Sequence, residues 1–274
     1  MTSVEPLLEV DGLTKHFPLR GALSERRGEA FVAVDGVSFS IGPGETLGLV
    51  GESGSGKSTL CRVALQLLKP TSGSVRFEGR EIAGLSRRAM RPLRREMQMV
   101  FQDPYASLNP RKRVGQIVGD PLRLQGVGSS AERRRQVQEM LERVGLSPEH
   151  YDRYPHEFSG GQRQRIGIAR ALVLRPKLIV ADEPVSALDV SIRAQIVNLL
   201  ADLQDEMGLS YLFVAHDISI VRHVSDRIVV MHGGKIVEQG DADQICDRPS
   251  DEYTRTLLAS VPIPDPREAH AKSR

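Results

Sequence analysis

Long hydrophobic runs are missing from this chain of 274 residues. A helix that crosses a bilayer needs about 20 consecutive apolar residues, and the longest runs here are short, such as Leu178–Ala181 and Ile228–Met231. The first residues, Met1–Pro6, also lack the basic stretch followed by an apolar stretch that marks a secretory leader. We therefore expect a cytoplasmic protein that touches a membrane only through a partner.

Cysteine and net charge are also scarce. The two cysteines, Cys61 and Cys246, are too few for a disulfide framework or a cysteine-rich metal site. Lys and Arg number 37 against 35 Asp and Glu, and the net charge of +2 gives no strong field for a nucleic acid partner. We interpret the basic runs as solvated faces or partner contacts; they are Arg87–Arg88, Arg94–Arg95, Arg111–Arg113 and Arg133–Arg135.

Strand and helix patterns alternate along the chain, which indicates a layered α/β fold. Residues 103–170 show only helical patterns, including a capping box at Ser129–Glu132, and we interpret them as a helical insertion. A further helix is predicted over 192–203 and ends at Gly208, whereas Arg20–Glu29 predicts a loop. Short strands are predicted at 8–10, 37–41, 46–50, 98–101, 178–182, 211–215 and 228–231.

A glycine-rich turn follows the strand at 46–50 and precedes a helix. It fits the P-loop pattern G-x-x-x-x-G-K-[ST], which chance produces in a chain of this length about once in a hundred. The backbone N–H groups of such a turn surround a phosphate, the lysine adds a positive charge and the hydroxyl binds Mg²⁺. The candidate nucleotide-binding residues are Gly51, Ser53, Gly54, Ser55, Gly56, Lys57, Ser58 and Thr59, and Ser58 is also a candidate Mg²⁺ ligand.

The strand at 178–182 ends in two acidic residues, Asp182 and Glu183. A carboxylate at the carboxyl end of a buried strand beside a P-loop holds Mg²⁺, as a Walker B aspartate does, and we assign this role to Asp182. Glu183 is then positioned to orient and deprotonate an attacking water. The two halves together predict a site that hydrolyses a nucleotide.

A second anion-binding arrangement, Ser159, Gly160, Gly161 and Gln162, opens a helix predicted over 163–174. A serine hydroxyl, free backbone amides and the helix dipole all suit a phosphate. Because one ATP does not need two such cradles in one chain, we expect a symmetric dimer in which each chain closes the other chain's site. Here the sequence resembles the nucleotide-binding subunits of ABC transporters, whose signature motif begins Ser-Gly-Gly-Gln.

That resemblance implies roles for four further residues. Phe17 stands where the family has an aromatic ring that stacks on adenine. Gln102 matches the Q-loop glutamine, which contacts Mg²⁺ and senses the transmembrane partner, and His216 matches the switch histidine that faces the γ-phosphate. Asp189 is the last residue of the segment that matches the D-loop, and the resemblance implies that it belongs to the nucleotide-binding site. The implied catalytic residues are Glu183, His216 and Gln102, and the implied Mg²⁺ ligands are Ser58, Gln102 and Asp182.

The resemblance covers about residues 7–245 and also implies the architecture. It implies a P-loop NTPase core, a mostly parallel sheet flanked by helices, with an N-terminal antiparallel β subdomain and an inserted helical subdomain at about 103–170. We accordingly predict a single ABC ATPase domain over 1–245 and a C-terminal extension with a tail over 246–274. ATP and Mg²⁺ are the implied cofactors.

Finer matches point to the ATPases of oligopeptide and dipeptide importers. Phe101–Pro110 resembles their extended Q-loop, and Tyr253–Pro262 resembles their C-terminal segment. The subfamily usually has His-Pro before that tyrosine, where this chain has Asp251–Glu252. Some relatives bind an iron–sulfur cluster through cysteines in a longer tail; no cysteine follows Cys246, so we expect no cluster.

The implied function is ATP hydrolysis that powers import of oligopeptides or dipeptides through a membrane ABC transporter. An importer of another solute such as nickel, or a non-transport ABC ATPase, is the alternative. A translation factor of this class would carry two cassettes, a DNA-repair ATPase would have a coiled coil between Thr59 and Ser159, and a metabolic kinase would lack the signature motif.

The resemblance also implies which partners the chain needs. They are transmembrane permease subunits, a second ABC ATPase that is either an identical copy or a different chain, and, indirectly, a solute-binding protein. The expected location is the cytoplasmic face of the cell membrane, where the chain is peripheral.

Overall fold

A computed structural model describes residues 5–18, 30–103 and 107–260, so the loop predicted at Arg20–Glu29 and the tail after Pro262 lie outside the described residues. The strands in these ranges are β1 (Leu8–Pro18), β2 (Ala30–Ile41), β3 (Thr46–Val50), β4 (Ser72–Phe77), β5 (Arg80–Glu81), β6 (Met97–Val100), β7 (Leu178–Asp182), β8 (Ser210–Val214), β9 (Arg227–His232) and β10 (Lys235–Asp241). The helices are α1 (Lys57–Ala64), α2 (Arg87–Glu96), α3 (Val114–Gln125), α4 (Ser130–Arg143), α5 (Gly160–Leu172), α6 (Val190–Met207), α7 (Ile218–Val224), α8 (Ala242–Asp247) and α9 (Glu252–Ala259).

The strands form two sheets. The larger sheet has the order β10-β9-β3-β8-β7-β6, in which all neighbours are parallel except the antiparallel pair β9 and β10. The smaller sheet has the order β2-β1-β4-β5 and is antiparallel throughout. The parallel strands β3, β6, β7 and β8 therefore bring their carboxyl ends to one edge of the larger sheet.

Hydrophobic side chains cover both faces of the larger sheet. In β7, Ile179 and Ala181 pack into one buried cluster, whereas Leu178 and Val180 pack into a second. Successive strand residues point to opposite faces, so the clusters lie on the two sides of the sheet. The first cluster contains buried side chains of helices α3 to α9, and the second contains buried side chains of α1 and of the smaller sheet. The core holds the strand ends in fixed relative positions.

Helical structure joins β6 to β7 in the described residues. Helices α3, α4 and α5 follow one another there, with short 3₁₀ turns at Pro148–Asp152 and Pro155–Glu157. The capping box before α4 has both of its bonds: Glu132 N–H donates to Ser129 Oγ at 3.3 Å and Ser129 N–H donates to the Glu132 carboxylate at 2.7 Å. With two sheets, a P-loop and this helical region, the predicted fold class is confirmed.

Some elements differ from the predictions. The helix predicted over 163–174 begins at Gly160, because Ser159 caps it, and it ends at Leu172. Strands β4, β5 and β10 and helix α9 were not predicted, since they are short or half-exposed and have no long apolar pattern. None of the helices in the described ranges has the length and apolar composition to cross a bilayer.

Candidate functional site

Candidate residues follow the parallel strands at one edge of the larger sheet. The P-loop follows β3, and Gln102 lies two residues after β6. Asp182 is the last residue of β7, with Glu183 next to it, and His216 lies two residues after β8. The site is therefore assembled from segments that are distant in sequence and adjacent in the sheet.

Two glycines of the P-loop have no room for a side chain. Gly51, at φ 151°, would place a Cβ into the Met231 carbonyl oxygen, and Gly56, at φ 104°, would place one into the Ala33 carbonyl oxygen. Both are positive φ values that favour glycine. The loop thus packs against β9 and β2, and its path requires glycine at these two positions.

Lys57, the first residue of α1, is buried within the loop. Its ammonium donates to the carbonyl oxygens of Gly51 at 2.6 Å and Glu52 at 2.7 Å. Burial lowers the pKa of Lys57, and the nearby carboxylates of Glu183 and Asp182 act in the opposite direction. A partly desolvated ammonium that is held by neutral carbonyls suits an anionic ligand.

The next residue of α1 links the P-loop to β7. The Ser58 hydroxyl donates to Asp182 Oδ1 at 3.0 Å. Burial raises the pKa of Asp182, although the bond from Ser58 acts against the rise. A hydroxyl beside a desolvated carboxylate is a pair of hard oxygen ligands, the kind of donor set that Mg²⁺ takes.

The loop also contains a polar atom without a partner. Ser55 is 5% exposed, and its Oγ is buried and has no hydrogen-bond partner among the described residues. A buried hydroxyl without a partner is costly. This hydroxyl lies beside the buried ammonium of Lys57, in a loop whose backbone requires glycine at two positions. Such a loop can bind a phosphate group, so the residues present suit ATP.

Glu183 lies between two polar side chains. The Gln102 amide donates to Glu183 Oε2 at 2.7 Å, and His216 Nδ1 is 3.9 Å from the same oxygen. The backbone of Glu183 has φ 48° and its N–H donates to the Val214 carbonyl at 3.0 Å. A non-glycine residue in the left-handed region is strained and is typical of functional sites. The Glu183 side chain is 16% exposed, so solvent can reach it.

The signature residues form a separate group. Ser159 and Gln162 bond reciprocally at the start of α5, with Gln162 N–H donating to Ser159 Oγ at 3.3 Å and Ser159 N–H donating to Gln162 Oε1 at 3.0 Å. No hydrogen bond joins them to the P-loop in the part of the chain that the structure describes. Gly161 also has a packing role, because a Cβ there would lie 2.6 Å from Ile192 Cγ2 on α6.

Asp189 lies at an exposed turn. It precedes α6, yet its carboxylate makes no capping bond to that helix. The next residue, Val190, is 79% exposed although its side chain is apolar. A carboxylate that makes no capping bond, next to an exposed apolar side chain, suits a surface that a partner covers.

Phe17 lies in β1, in the strand pair that runs beside the P-loop. It is directly opposite Phe31 of β2, and the Lys15 ammonium is 5.1 Å from the centre of its ring. Strand β2 also carries Ala33, whose carbonyl touches Gly56. The remaining candidate residues lie in three places. Ser53 and Gly54 are in the exposed part of the P-loop, Thr59 is in the first turn of α1, and Gly160 is in the first turn of α5.

One P-loop contact was absent from the sequence predictions. The Glu52 N–H donates to the hydroxyl of Tyr253 at 3.0 Å, although the two residues are 201 positions apart. Tyr253 entered the sequence argument only as part of the C-terminal resemblance. No local pattern marks a contact between a loop and a helix so distant in sequence.

Comparison with known families covers most of the chain. Residues 34–186 match the family model of the ABC transporter, and residues 237–274 match that of the oligopeptide/dipeptide transporter, C-terminal region. Among solved structures, the dimeric post-hydrolysis state of the ATP-binding cassette MJ0796 bound to ADP and Pi superposes with a TM-score of 0.76 at 32% identity, covering 86% of this chain and 98% of that one. The structure of cbiO1 from Clostridium perfringens, part of the complex cbiONQ, gives 0.77 at 30% identity and covers 98% and 100%.

Curated relatives are more similar still. The glutathione import ATP-binding protein GsiA of Salmonella paratyphi A is 55% identical over 262 residues, 96% of this chain. The chain spans only 42% of the length of GsiA. The oligopeptide transport ATP-binding protein AppF of Bacillus subtilis is 52% identical over 271 residues, covering 98% of this chain and 82% of AppF. With its P-loop, its acidic strand end and its signature helix all in one fold, the chain belongs to the ABC transporter family of ATP-binding proteins.

Proposed function

We propose that the chain hydrolyses ATP and thereby powers import of oligopeptides or dipeptides through a membrane ABC transporter. The observation that carries the proposal is the convergence of Lys57, Asp182 and Glu183 at one sheet edge, beside the unpartnered hydroxyl of Ser55. These groups supply a phosphate cradle, a candidate metal ligand and a base within one site.

ATP and Mg²⁺ would be held by different parts of this site. The loop from Gly51 to Lys57 and the first turn of α1, with Ser58 and Thr59, would hold the phosphates, and Phe17 would stack on adenine. Ser58, Asp182 and Gln102 would hold Mg²⁺, which when bound neutralises charge on the phosphate oxygens. The bond between Ser58 and Asp182 supports this assignment, because it brings two of the three ligands together.

Glu183 is the proposed general base. Its carboxylate accepts the proton of the attacking water, while Gln102 donates to Oε2 and fixes the orientation of the carboxylate. His216, 3.9 Å from the same oxygen, is exposed enough to reach a γ-phosphate from the other side. Removing any of the three should slow hydrolysis more than it weakens ATP binding.

We propose that the working unit contains two ATPase chains. Ser159, Gly160, Gly161 and Gln162 bind the ATP of the facing chain, and Asp189 lies at the contact between the chains. Two observations on this chain support the proposal: Val190 is exposed, and the Asp189 carboxylate makes no capping bond. The dimeric form of the MJ0796 cassette supports it as well. The facing chain is either an identical copy or a second, similar ATPase.

Permease subunits are the proposed membrane partners. A cavity of about 230 Å³ at the surface has apolar lining from Met97, Met99 and Pro121, and the exposed side chains of Leu67 and Phe101 border it. It lies next to Gln102, so a permease segment seated there could sense the nucleotide site. A solute-binding protein would take part indirectly, and the chain would be peripheral at the cytoplasmic face of the membrane.

The proposed substrate class rests on the relatives. AppF is named for oligopeptide transport and GsiA for glutathione import, and the C-terminal family match is that of oligopeptide and dipeptide transporters. Glutathione is itself a small peptide, so these names share one substrate chemistry. Import of small peptides is the function that they support in common.

The proposal is tested by uptake in the cells that make this chain. Deleting its gene should abolish ATP-dependent uptake of labelled di- and oligopeptides, and the wild-type gene should restore it. Lys57→Ala should not restore it, because the phosphate cradle loses its charge. Lys177→Ala serves as a control, since Lys177 is exposed and pairs with Glu78 and Glu96 instead. Unchanged peptide uptake in the deletion strain would contradict the proposed substrate class.

A further inference from the structure

The C-terminal helix α9 contacts the backbone of the P-loop. Tyr253, in its first turn, accepts a hydrogen bond from Glu52 N–H at 3.0 Å. The rest of α9 is anchored in the same core, with Thr254 and Leu257 buried. A segment that follows the proposed ATPase domain therefore reaches the residue between the first glycine and the first serine of the phosphate cradle.

The tyrosine hydroxyl is held in a defined position. The ring of Tyr253 packs on the ring of His232, with centroids 4.0 Å apart. Its own N–H donates to Asp251 Oδ1 at 2.8 Å, and the N–H of Asp251 donates to Glu238 of β10 at 3.2 Å. Asp251 is the N-terminal cap of α9. Ring packing and two successive bonds fix the side chain before any ligand is present.

Glu52 is held from two sides. Its N–H donates to Tyr253, and its carbonyl accepts from the Lys57 ammonium at 2.7 Å. The turn between β9 and β10 also contacts the loop, because Gly234 N–H donates to the Ser55 carbonyl at 3.0 Å. The Glu52 carbonyl also accepts from Ser55 N–H at 3.2 Å within the loop, whereas Tyr253 ties Glu52 to a segment outside the loop.

We propose that Tyr253 is a positioning residue for nucleotide binding, which pre-organises the P-loop through Glu52 N–H and couples helix α9 to occupancy of the site. The proposal rests on the proposed binding of ATP at this loop. Pre-organisation of this kind removes an ordering cost from binding. By linkage, a bond that favours the ATP-bound loop must itself be favoured when ATP is bound, so ATP should stabilise α9.

The first test compares two tyrosine-to-phenylalanine variants of the full chain. Tyr253→Phe removes only the hydroxyl and keeps the ring on His232, so the dissociation constant and KM for ATP should rise about 3- to 10-fold, the range of one hydrogen bond. At saturating ATP, kcat should stay within about twofold of wild type, since the groups around the reacting water are untouched. Tyr211→Phe is the matched control, because it loses a hydrogen bond of 3.2 Å to the Leu200 carbonyl. Tyr211 lies at the end of the β3–β8 pair that is remote from the P-loop.

Thermal unfolding without nucleotide separates positioning from general stability. Tyr211→Phe should lower the melting temperature and leave the affinity for ATP unchanged. The proposal is overturned if Tyr253→Phe binds ATP as wild type does, or if Tyr211→Phe weakens ATP binding equally. If the wild-type chain binds no ATP, or if Lys57→Ala binds it as well, the proposed function itself fails, which is a different result.

Hydrogen exchange provides the second, reciprocal test. ATP should slow amide exchange in α9 of the wild-type chain, although we assign no nucleotide contact to this helix. In Tyr253→Phe this protection should be lost at ATP concentrations that saturate the variant. Protection of α9 that persists unchanged in the variant would exclude the hydroxyl as the connection.

Discussion

Glu183 combines a strained backbone with a restrained side chain. Its φ of 48° has a cost, yet its N–H is bonded to Val214 and its carboxylate to Gln102. Such strain persists only where neighbouring groups over-determine the conformation. The arrangement fixes the Glu183 carboxylate at the end of β7, the position that we propose for the general base.

At this residue we predict that Glu183→Gln binds ATP as wild type does and hydrolyses it at least about 10²-fold more slowly, because an amide cannot accept the proton. Phosphate release and nucleotide fluorescence measure the two effects. The ATP-bound dimer should then persist long enough to be seen by gel filtration. Glu139→Gln, an exposed change on α4, is the control. Wild-type turnover by Glu183→Gln would remove this residue from the mechanism.

The two cysteines differ in their surroundings. Cys61 is buried in α1 and burial raises its pKa well above the ordinary thiol value, whereas Cys246 is half-buried and its pKa is raised less. Thiolate is the reactive form, and a raised pKa means that less of it is present at neutral pH.

We therefore predict that a maleimide labels one thiol per native chain, at Cys246, and the second only after denaturation. The labelling rate at Cys246 should rise as the pH is raised from neutrality. The raised pKa keeps most of the thiol protonated at neutral pH, and the thiolate fraction grows as the pH increases. Mass spectrometry of the labelled peptides checks the assignment, and Cys246→Ser should abolish labelling of the native chain. Rapid labelling of Cys61 in the native state would show that α1 is less protected than its burial indicates.

At the scale of elements, helix α3 shows how tightly the helical region is packed. A Cβ on Gly115 would enter the ring of Tyr151, which lies in the 3₁₀ turn after α4. A Cβ on Gly119 of the same helix would meet only Val137 Cγ2, at 3.4 Å. The two glycines of one helix thus have different functions.

This difference predicts opposite effects of one substitution. Gly115→Ala should reduce the free energy of unfolding by about 1–3 kcal/mol, because the ring must shift. Gly119→Ala should raise it by about 0.5–1 kcal/mol, since alanine loses less entropy in a helix. Urea denaturation of both variants measures the pair. Equal effects of the same sign would show that α3 does not pack on the turn as described.

Elements were predictable from sequence where burial gave them a pattern. Strands β3 and β7 are buried along their whole length and were predicted with their observed bounds. The cap at Ser129 was predicted because its bonds are local. Strand β10 was missed, since it is antiparallel to β9 at the edge of the sheet and half-exposed, so its stability comes from pairing rather than from its own composition.

For the whole molecule, a different limit applies. The P-loop, Asp182 and Glu183 were predicted as site residues because each ends or follows a recognisable strand, and the topology brings them together. The contact of Tyr253 with Glu52 depends on the packing of segments 201 residues apart. The proposed composite site, in which two phosphate cradles face each other, is formed between two chains, so its test requires two chains.

The dimer prediction uses Ser159, because a substitution at Gly161 would also disturb the packing on Ile192. Ser159→Asp retains a good helix cap and adds a negative charge toward the facing chain's γ-phosphate. It should bind ATP with the affinity of wild type and lose hydrolysis. Ser159→Asn, a neutral cap of similar size, is the matched control and should retain more activity. Lys57→Ala should lose ATP affinity in its own chain.

Mixing the Lys57→Ala and Ser159→Asp chains then tests the composite site directly. In a self-pairing ATPase, each mixed dimer has one site with both lesions and one intact site. Random pairing at equal amounts gives mixed dimers in half of the population, so phosphate release should return to about a quarter of wild type. If Ser159→Asp instead loses ATP affinity as a monomer to the same extent as Lys57→Ala, the signature residues act within their own chain. Where the native pairing is with a different ATPase, the two substitutions are divided between this chain and that partner. Every dimer then has one intact face, so phosphate release of about half of wild type is expected.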